Sequence, residues 1–188
     1  TDISLYLGPN FHFVIYPINQ NNEFNFISII RKELIEAEIS NKNLFNDKTF
    51  TNNLINQISS KSNLNLTEIV NEIKCFPIFV SNKIQIPKSK NIFFIGDAFY
   101  SFPPSFAQGA SQSIESANEL FDNLMNNSSN YYKTRVLKTK QINFRSSINH
   151  FAFHLVNPIN IFFRNFLLKR LSKNKSFLEN YLGKIYNS

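Results

Sequence analysis

Two groups of residues in this 188-residue chain have types and spacing suited to chemistry. The first lies in Asn91–Ala117, NIFFIGDAFYSFPPSFAQGASQSIESA. A short apolar run, Ile92–Ile95, leads into Gly96-Asp97; Pro103-Pro104 follow, then Gln108-Gly109-Ala110 and a helical pattern. This order predicts a strand ending at Gly96-Asp97, with a carboxylate at the C-terminal edge where α/β folds bind ligands. Such a carboxylate accepts hydrogen bonds from a ribose or ribityl hydroxyl. The paired prolines predict an irregular loop, and Gly109 lets a planar ring approach the backbone. A helix starting near Gln108 then offers free amides and a positive dipole end to an anionic group. Such an arrangement can grip a nucleotide-type cofactor at two points.

The second group lies in Leu7–Ile18, LGPNFHFVIYPI. In an extended strand His12, Val14 and Tyr16 share one face, and Phe11, Phe13 and Ile15 the other. His12 and Tyr16 stand roughly 13 Å apart along such a strand, a span that brackets a ring. Packing is the plainer role for a lone His and Tyr. His150 and His154 have a spacing that can hold zinc, but a third ligand is lacking nearby in sequence. Ser101, Ser105 and Ser111 form no Ser-His-Asp pattern; loop and cap roles suffice for them.

The first stretch resembles the second FAD-binding motif of the flavin-dependent aromatic hydroxylases, the group containing salicylate hydroxylase and p-hydroxybenzoate hydroxylase. Their pattern reads approximately GDAAH, three residues, P, three residues, QGA, then a helix carrying Glu-Asp-Ala. Gly96, Asp97, Ala98, Pro104, Gln108, Gly109, Ala110, Glu115 and Ala117 fall into register. Tyr100 stands at the pattern's His and Ser116 at its Asp. The resemblance implies that Asp97 contacts the FAD ribityl chain and that the Gly109 and Ala110 amides face the flavin pyrimidine edge. There the helix dipole would stabilise negative charge on the reduced ring.

Residues Gly8–Pro17 likewise resemble the GP-x-x-H-x-x-x-YP strand of the salicylate-hydroxylase-like branch. This implies that His12 and Tyr16 are catalytic and hold or deprotonate a phenolic hydroxyl. Tyr131 and Arg135 resemble the structural Tyr-x-x-x-Arg helix start of the family. The implied activity is hydroxylation of a small aromatic or phenolic substrate using FAD, NAD(P)H and oxygen. The family's ADP-binding G-x-G-x-x-G loop has no counterpart, because Gly8, Gly96, Gly109 and Gly183 are too far apart to form it. The expectation is a fragment or truncated product, part of a p-hydroxybenzoate-hydroxylase-like FAD-binding fold without its N-terminal βαβ unit.

The elements that must position these residues read as α+β. Phe11–Ile18 and Glu23–Ile30 predict a hairpin turning at Asn19–Asn22. Apolar spacing predicts a helix over Asp47–Ser59, and an Asn65/Glu68 capping box a short one over Asn65–Lys74. Phe76–Val80, Lys83–Ile86 and Ile92–Ile95 read as strands, and residues 31–46 as ambiguous. Helices are expected over Gln108–Met125, Tyr131–Leu155 and Ile159–Leu171, with a loop over Asn126–Asn130 and a break at Asn157-Pro158. The first of them should bury a stripe of Ile114, Ala117, Leu120, Phe121 and Leu124. Three parts result: a substrate-binding β-sheet domain with inserted helices over 1–90, the FAD motif and its helix over 91–130, and C-terminal helices over 131–188.

The one cysteine, Cys75, excludes an internal disulfide and any cysteine-cluster metal site, reads as a buried inert thiol, and fits a reducing cytoplasm. The apolar run Phe151–Leu168 is broken by His154, Asn157, Pro158, Asn160, Arg164 and Asn165, so the expectation is a soluble chain without a spanning helix. Residues 131–188 carry 11 basic side chains against Glu179 alone, whereas the first 130 carry 9 against 12 acidic. A solvated helical face is the plainer reading of this charge. The alternatives are a basic helical module for nucleic acid or a membrane surface, and an inactive remnant; the enzyme reading needs no nucleic acid.

Overall fold

Aromatic and β-branched residues dominate three short segments near the start of the chain. In the computed structural model these segments form one antiparallel sheet in the order β1-β2-β3. The strands are β1 (Ser4–Gly8), β2 (Phe11–Pro17) and β3 (Phe24–Ile30). Residues 3–19, 23–62, 64–69, 73–89, 91–126, 128 and 130–183 are described. The chain is α+β, with this small sheet and seven α-helices among the described residues. It divides into two compact units, Thr1–Ile78 with Phe153–Asn157, and Phe79–Ala152 with Pro158–Ser188.

In the first unit the expected hairpin is present, β2 pairing with β3 from Phe11↔Ile30 to Pro17↔Phe24. Its turn residues Gln20, Asn21 and Asn22 lie outside the described residues. Strand β1 was not anticipated. It joins β2 through Pro9-Asn10, where Asn10 takes the left-handed conformation (φ 65°) that Asn tolerates better than most residues. Helices α1 (Glu36–Ser40), α2 (Lys48–Ser62) and α3 (Leu66–Ile69) follow. Asp47 starts α2 by accepting the Thr49 amide at 2.8 Å. The periodic residues of α2 are buried as their spacing predicts. Ile55 and Ile58 pack with Phe11, Phe13 and Leu66, while Phe50 and Leu54 pack with Leu44. Cys75 lies against the second cluster, where burial raises its thiol pKa. Helix α3 is shorter than expected. The Asn65 side chain accepts from the Thr67 hydroxyl (2.8 Å), and the Glu68 backbone amide donates to the Asn65 carbonyl (3.3 Å). Val70, Asn71 and Glu72 of the expected helix lie outside the described residues.

The second unit contains α4 (Gly109–Met125), most of α5 (Tyr131–Phe153), α6 (Pro158–Leu171) and α7 (Lys175–Gly183). Its core gathers Phe99, Tyr100, Phe102, Phe106 and Ile142. The strands expected at Phe76–Val80, Lys83–Ile86 and Ile92–Ile95 are absent among the described residues. Apolar alternation makes a strand only where a partner strand completes the ladder. Here the backbone bonds are isolated, Ser81 N–H to Ser101 O at 2.9 Å and Gln85 N–H to Phe99 O at 3.0 Å. Around Ile92–Ile95 tyrosine side chains take the place of a neighbouring strand. Tyr132 accepts from the Phe94 amide and donates to Ile92 O, and Tyr131 donates to Phe94 O at 3.0 Å.

That last contact needs a protonated phenol. Burial, the main cause, pushes the Tyr131 hydroxyl from the ordinary 10 up to about 12, and it also raises Tyr100 and Tyr181. A raised phenol contributes its full stability below the unfolded value of about 10 and loses it as pH climbs toward about 12. Urea unfolding across alkaline pH is therefore expected to show falling stability above about pH 10. Tyr131→Phe should flatten that fall, and an unchanged slope would remove Tyr131 from the alkaline transition.

The stripe expected to be buried on α4 is open. Ile114 is 73 % exposed, Phe121 and Leu124 are also exposed, and the buried side chains of the helix are Gln112 and Ser116. Spacing reveals an apolar face but not which face is covered. The covered face is polar because its partner, α5, presents Arg135 and Lys138.

Candidate functional site

Helix α4 begins at Gly109 with Gln108 as N-cap, within one residue of the expected start. The Gln108 side chain does not cap the helix. Its Oε1 instead accepts from Ser111 Oγ at 3.1 Å and Gln112 Nε2 at 3.5 Å. The first turn carries no acidic residue, so its amides keep their positive end. A Cβ at Gly109 would meet no atom within 4 Å. The space beside the Gly109 Cα is open.

The Gly-Asp turn packs directly on this helix. Gly96–Ala98 form a 3-10 turn after an extended Ile95, and Gly96 has φ 55°. Its amide donates to Ser116 Oγ at 3.1 Å, and that hydroxyl donates to Ser113 O. A Cβ on Gly96 would come within 2.6 Å of Ser113 Oγ. The same oxygen is held 3.0 Å from Gly109 O. Ser116 thus ties the Gly-Asp turn to α4, with Ser113 packed beside Gly96. Asp97, one residue on, is exposed and makes no hydrogen bond or ion pair with a described residue.

Helix α5 holds the proline loop between them. Ser146 Oγ donates to Pro103 O (3.2 Å), Asn149 Nδ2 to Ser105 O (3.5 Å), and Ser105 Oγ pairs with His150 Nδ1 (3.0 Å). Pro104–Phe106 form a further 3-10 turn, and Ala107 adopts a left-handed conformation (φ 52°) before the helix. Phe106 and Gln108 are buried, which fixes the loop from inside. Tyr100, at the position of the family's His, is a core residue with its ring 5.1 Å from that of Phe102. Ser116, at the position of the family's Asp, is the acceptor for the Gly96 amide.

A charged cluster fastens α4 to α5. Arg135, 2 % exposed, donates to Gln112 Oε1 at 2.5 Å, Gln112 O at 3.2 Å and Glu119 Oε2 at 3.2 Å. Lys138 bonds Glu115 and, at 3.1 Å, Glu119. Among the described residues Glu115 Oε2 makes no hydrogen bond and meets Arg135 as an ion pair at 3.7 Å. Gln112, Glu119 and Lys138 were not singled out from sequence. Glu115 and Glu119, four apart on one helix, facing Arg135 and Lys138, three apart on the next, were the readable signal.

His12 and Tyr16 lie on β2, in the first unit, while Gly96, Asp97, Pro104, Gln108, Gly109 and Ala110 all lie in the second. Phe11, Phe13 and Ile15 pack into the α2 cluster. His12 is buried, its Nδ1 3.1 Å from His154 Nε2, and its ring meets Phe153 edge-on at 5.2 Å. Tyr16 accepts a 2.6 Å bond from Asn25 Nδ2, its cross-strand partner. Among the described residues no three His, Cys, Asp or Glu side chains form a group able to hold a metal ion. No helix among them is long and apolar enough to cross a membrane. No family model, curated protein or solved structure matches the chain.

Proposed function

We propose that this chain is the C-terminal half of an FAD-dependent aromatic-ring hydroxylase. The observation that carries the reading is the Gly96-Asp97 turn held through Ser116 on α4, whose start has open space at Gly109. Those residues fit the flavin end of FAD. Asp97, without a partner among the described residues, would hold a ribityl hydroxyl. The Gly109 and Ala110 amides would face the ring, where the α4 dipole favours negative charge. Bound FAD, reduced by NAD(P)H, supplies the oxygen chemistry of ring hydroxylation.

The substrate in this reading is a small phenolic or other electron-rich aromatic molecule, held by His12 and Tyr16. Asn25 occupies an acceptor site on the Tyr16 oxygen and leaves the hydroxyl proton to donate to a phenolic oxygen. His154 fixes the orientation of the His12 ring. The exposed α4 stripe supports the reading as well, because a dinucleotide-binding βαβ unit packed there would bury Ile114, Phe121 and Leu124.

The test is cofactor retention. The purified 188-residue chain is expected to be colourless or to hold FAD weakly, since the ADP-binding loop is absent from it. Supplying an upstream βαβ half should restore a flavin spectrum. In that assembly Asp97→Ala should weaken FAD roughly tenfold or more, the worth of a hydrogen bond to a charged group. Stoichiometric, tight FAD on the isolated chain would contradict the half-chain reading, and an undiminished spectrum in Asp97→Ala would remove Asp97 from the cofactor.

A further inference from the structure

Helix α6 turns an apolar stripe to solvent. Ile159, Phe162, Phe163, Phe166 and Leu167 recur at i, i+3, i+4, i+7 and i+8, so they line one helix face. All five are more than half exposed, Phe162 at 68 %. The side that packs is the opposite one. There Arg164 is buried, with Nη1 3.3 Å from Ala152 O, and Ile161 and Leu171 are half-buried. Helical spacing has therefore built a second apolar face that stays exposed among the described residues.

The charges around the stripe select its occupant. Lys169 and Arg170 close the helix, Lys173 and Lys175 follow, and Glu179 is the only acidic residue after position 130. The same helix of a second copy would offer this basic end no acidic partner. A bilayer surface with anionic headgroups offers apolar depth for the phenylalanines and negative charge for the basic rim. The 14 residues of α6 span about 21 Å, too short to cross the hydrocarbon core but long enough to lie along it.

We propose that α6 is an interfacial helix that lays this stripe on an anionic lipid surface. The inference stands independently of the flavin reading. The chain has no tryptophan, so Phe166→Trp supplies a single reporter on the stripe. Its emission is expected to shift to the blue with vesicles of phosphatidylcholine and phosphatidylserine, to shift far less with phosphatidylcholine alone, and to revert in high salt. In vesicle sedimentation, Phe162→Asp with Phe166→Asp should weaken binding by roughly tenfold per phenylalanine. Lys169→Glu with Arg170→Glu should cost at least about fivefold per cation. All four side chains are exposed, and circular dichroism of the variants should match the parent. The proposal is overturned by emission indifferent to vesicles, by equal binding to neutral vesicles, or by binding that survives the double aspartate variant. Two further results would also overturn it: a blue-shifted emission without lipid that is lost on dilution, which marks a second copy, and retention by duplex DNA without any by vesicles.

Discussion

Arg135→Ala is expected to lower the unfolding free energy by about 3 kcal/mol, the loss that follows when one partner of a buried ion cluster is removed. The guanidinium lies sealed between α4 and α5, and its donors are spent on Gln112 and Glu119. Its removal leaves the buried Gln112 without its donor and the two glutamates with Lys138 alone. The Glu115 and Glu119 side chains are 24 % and 22 % exposed, so water recovers part of the loss; this sets the lower end of the usual range. Arg135→Met keeps the apolar stem and avoids the cavity, and should cost about half as much. Arg135→Lys should not rescue, because an ammonium cannot reproduce the forked contacts to Gln112 and Glu119. Urea unfolding of the three variants measures these differences. A change below about 1 kcal/mol in Arg135→Ala would mean the cluster is no stronger than a surface ion pair.

The start of α4 was legible because its signals are local. Paired prolines interrupt regular structure whatever surrounds them, and Gln108-Gly109-Ala110 followed by an uninterrupted helical pattern marks the next start. The buried stripe of α2 was legible for the same reason, since its amphipathic spacing coincides with the face the sheet covers. The false strands at Phe76–Val80, Lys83–Ile86 and Ile92–Ile95 carry the same apolar pattern as the true ones. A strand, however, is a property of two segments, and their partners are missing among the described residues. Strand β1 is the converse case, a weak pattern in Ser4–Gly8 made regular by its pairing with β2.

The candidate site divides along the same line. The helix start at Gln108-Gly109 was readable from residue type, whereas Gly96 was expected at a strand end and sits in a 3-10 turn. The serines that meet it were not readable. Ser113 and Ser116 are common helix-surface residues in sequence, and only the approach of the Gly96 turn makes the Ser116 hydroxyl a joint and packs Ser113 beside it. His154 was weighed only as a partner of His150 at zinc spacing, while the fold gives it to His12, 142 residues away.

The two motif glycines should respond oppositely to substitution. Gly96→Ala is expected to destabilise the chain by about 3 kcal/mol: roughly 1–2 for a left-handed φ on an L-residue, and the rest for the overpacked contact. The new methyl would sit 2.6 Å from Ser113 Oγ and 3.1 Å from Ser113 Cβ, and the hydroxyl is already bonded to Gly109 O. Gly109→Leu places its Cβ where nothing lies within 4 Å and replaces a residue without a positive φ at a helix start. Its stability should stay within about 0.5 kcal/mol of the parent. The leucine would nonetheless fill the space that the proposed flavin ring needs against the Gly109 and Ala110 amides. In the assembled protein Gly109→Leu should therefore lose FAD while melting normally. A thermal melt and an FAD titration on each variant separate the two roles. If Gly109→Leu binds FAD as well as the parent, no ring lies at the start of α4 and the flavin reading fails at its centre. If it unfolds the chain, the space beside Gly109 is structural, and a glycine there needs no ligand to explain it.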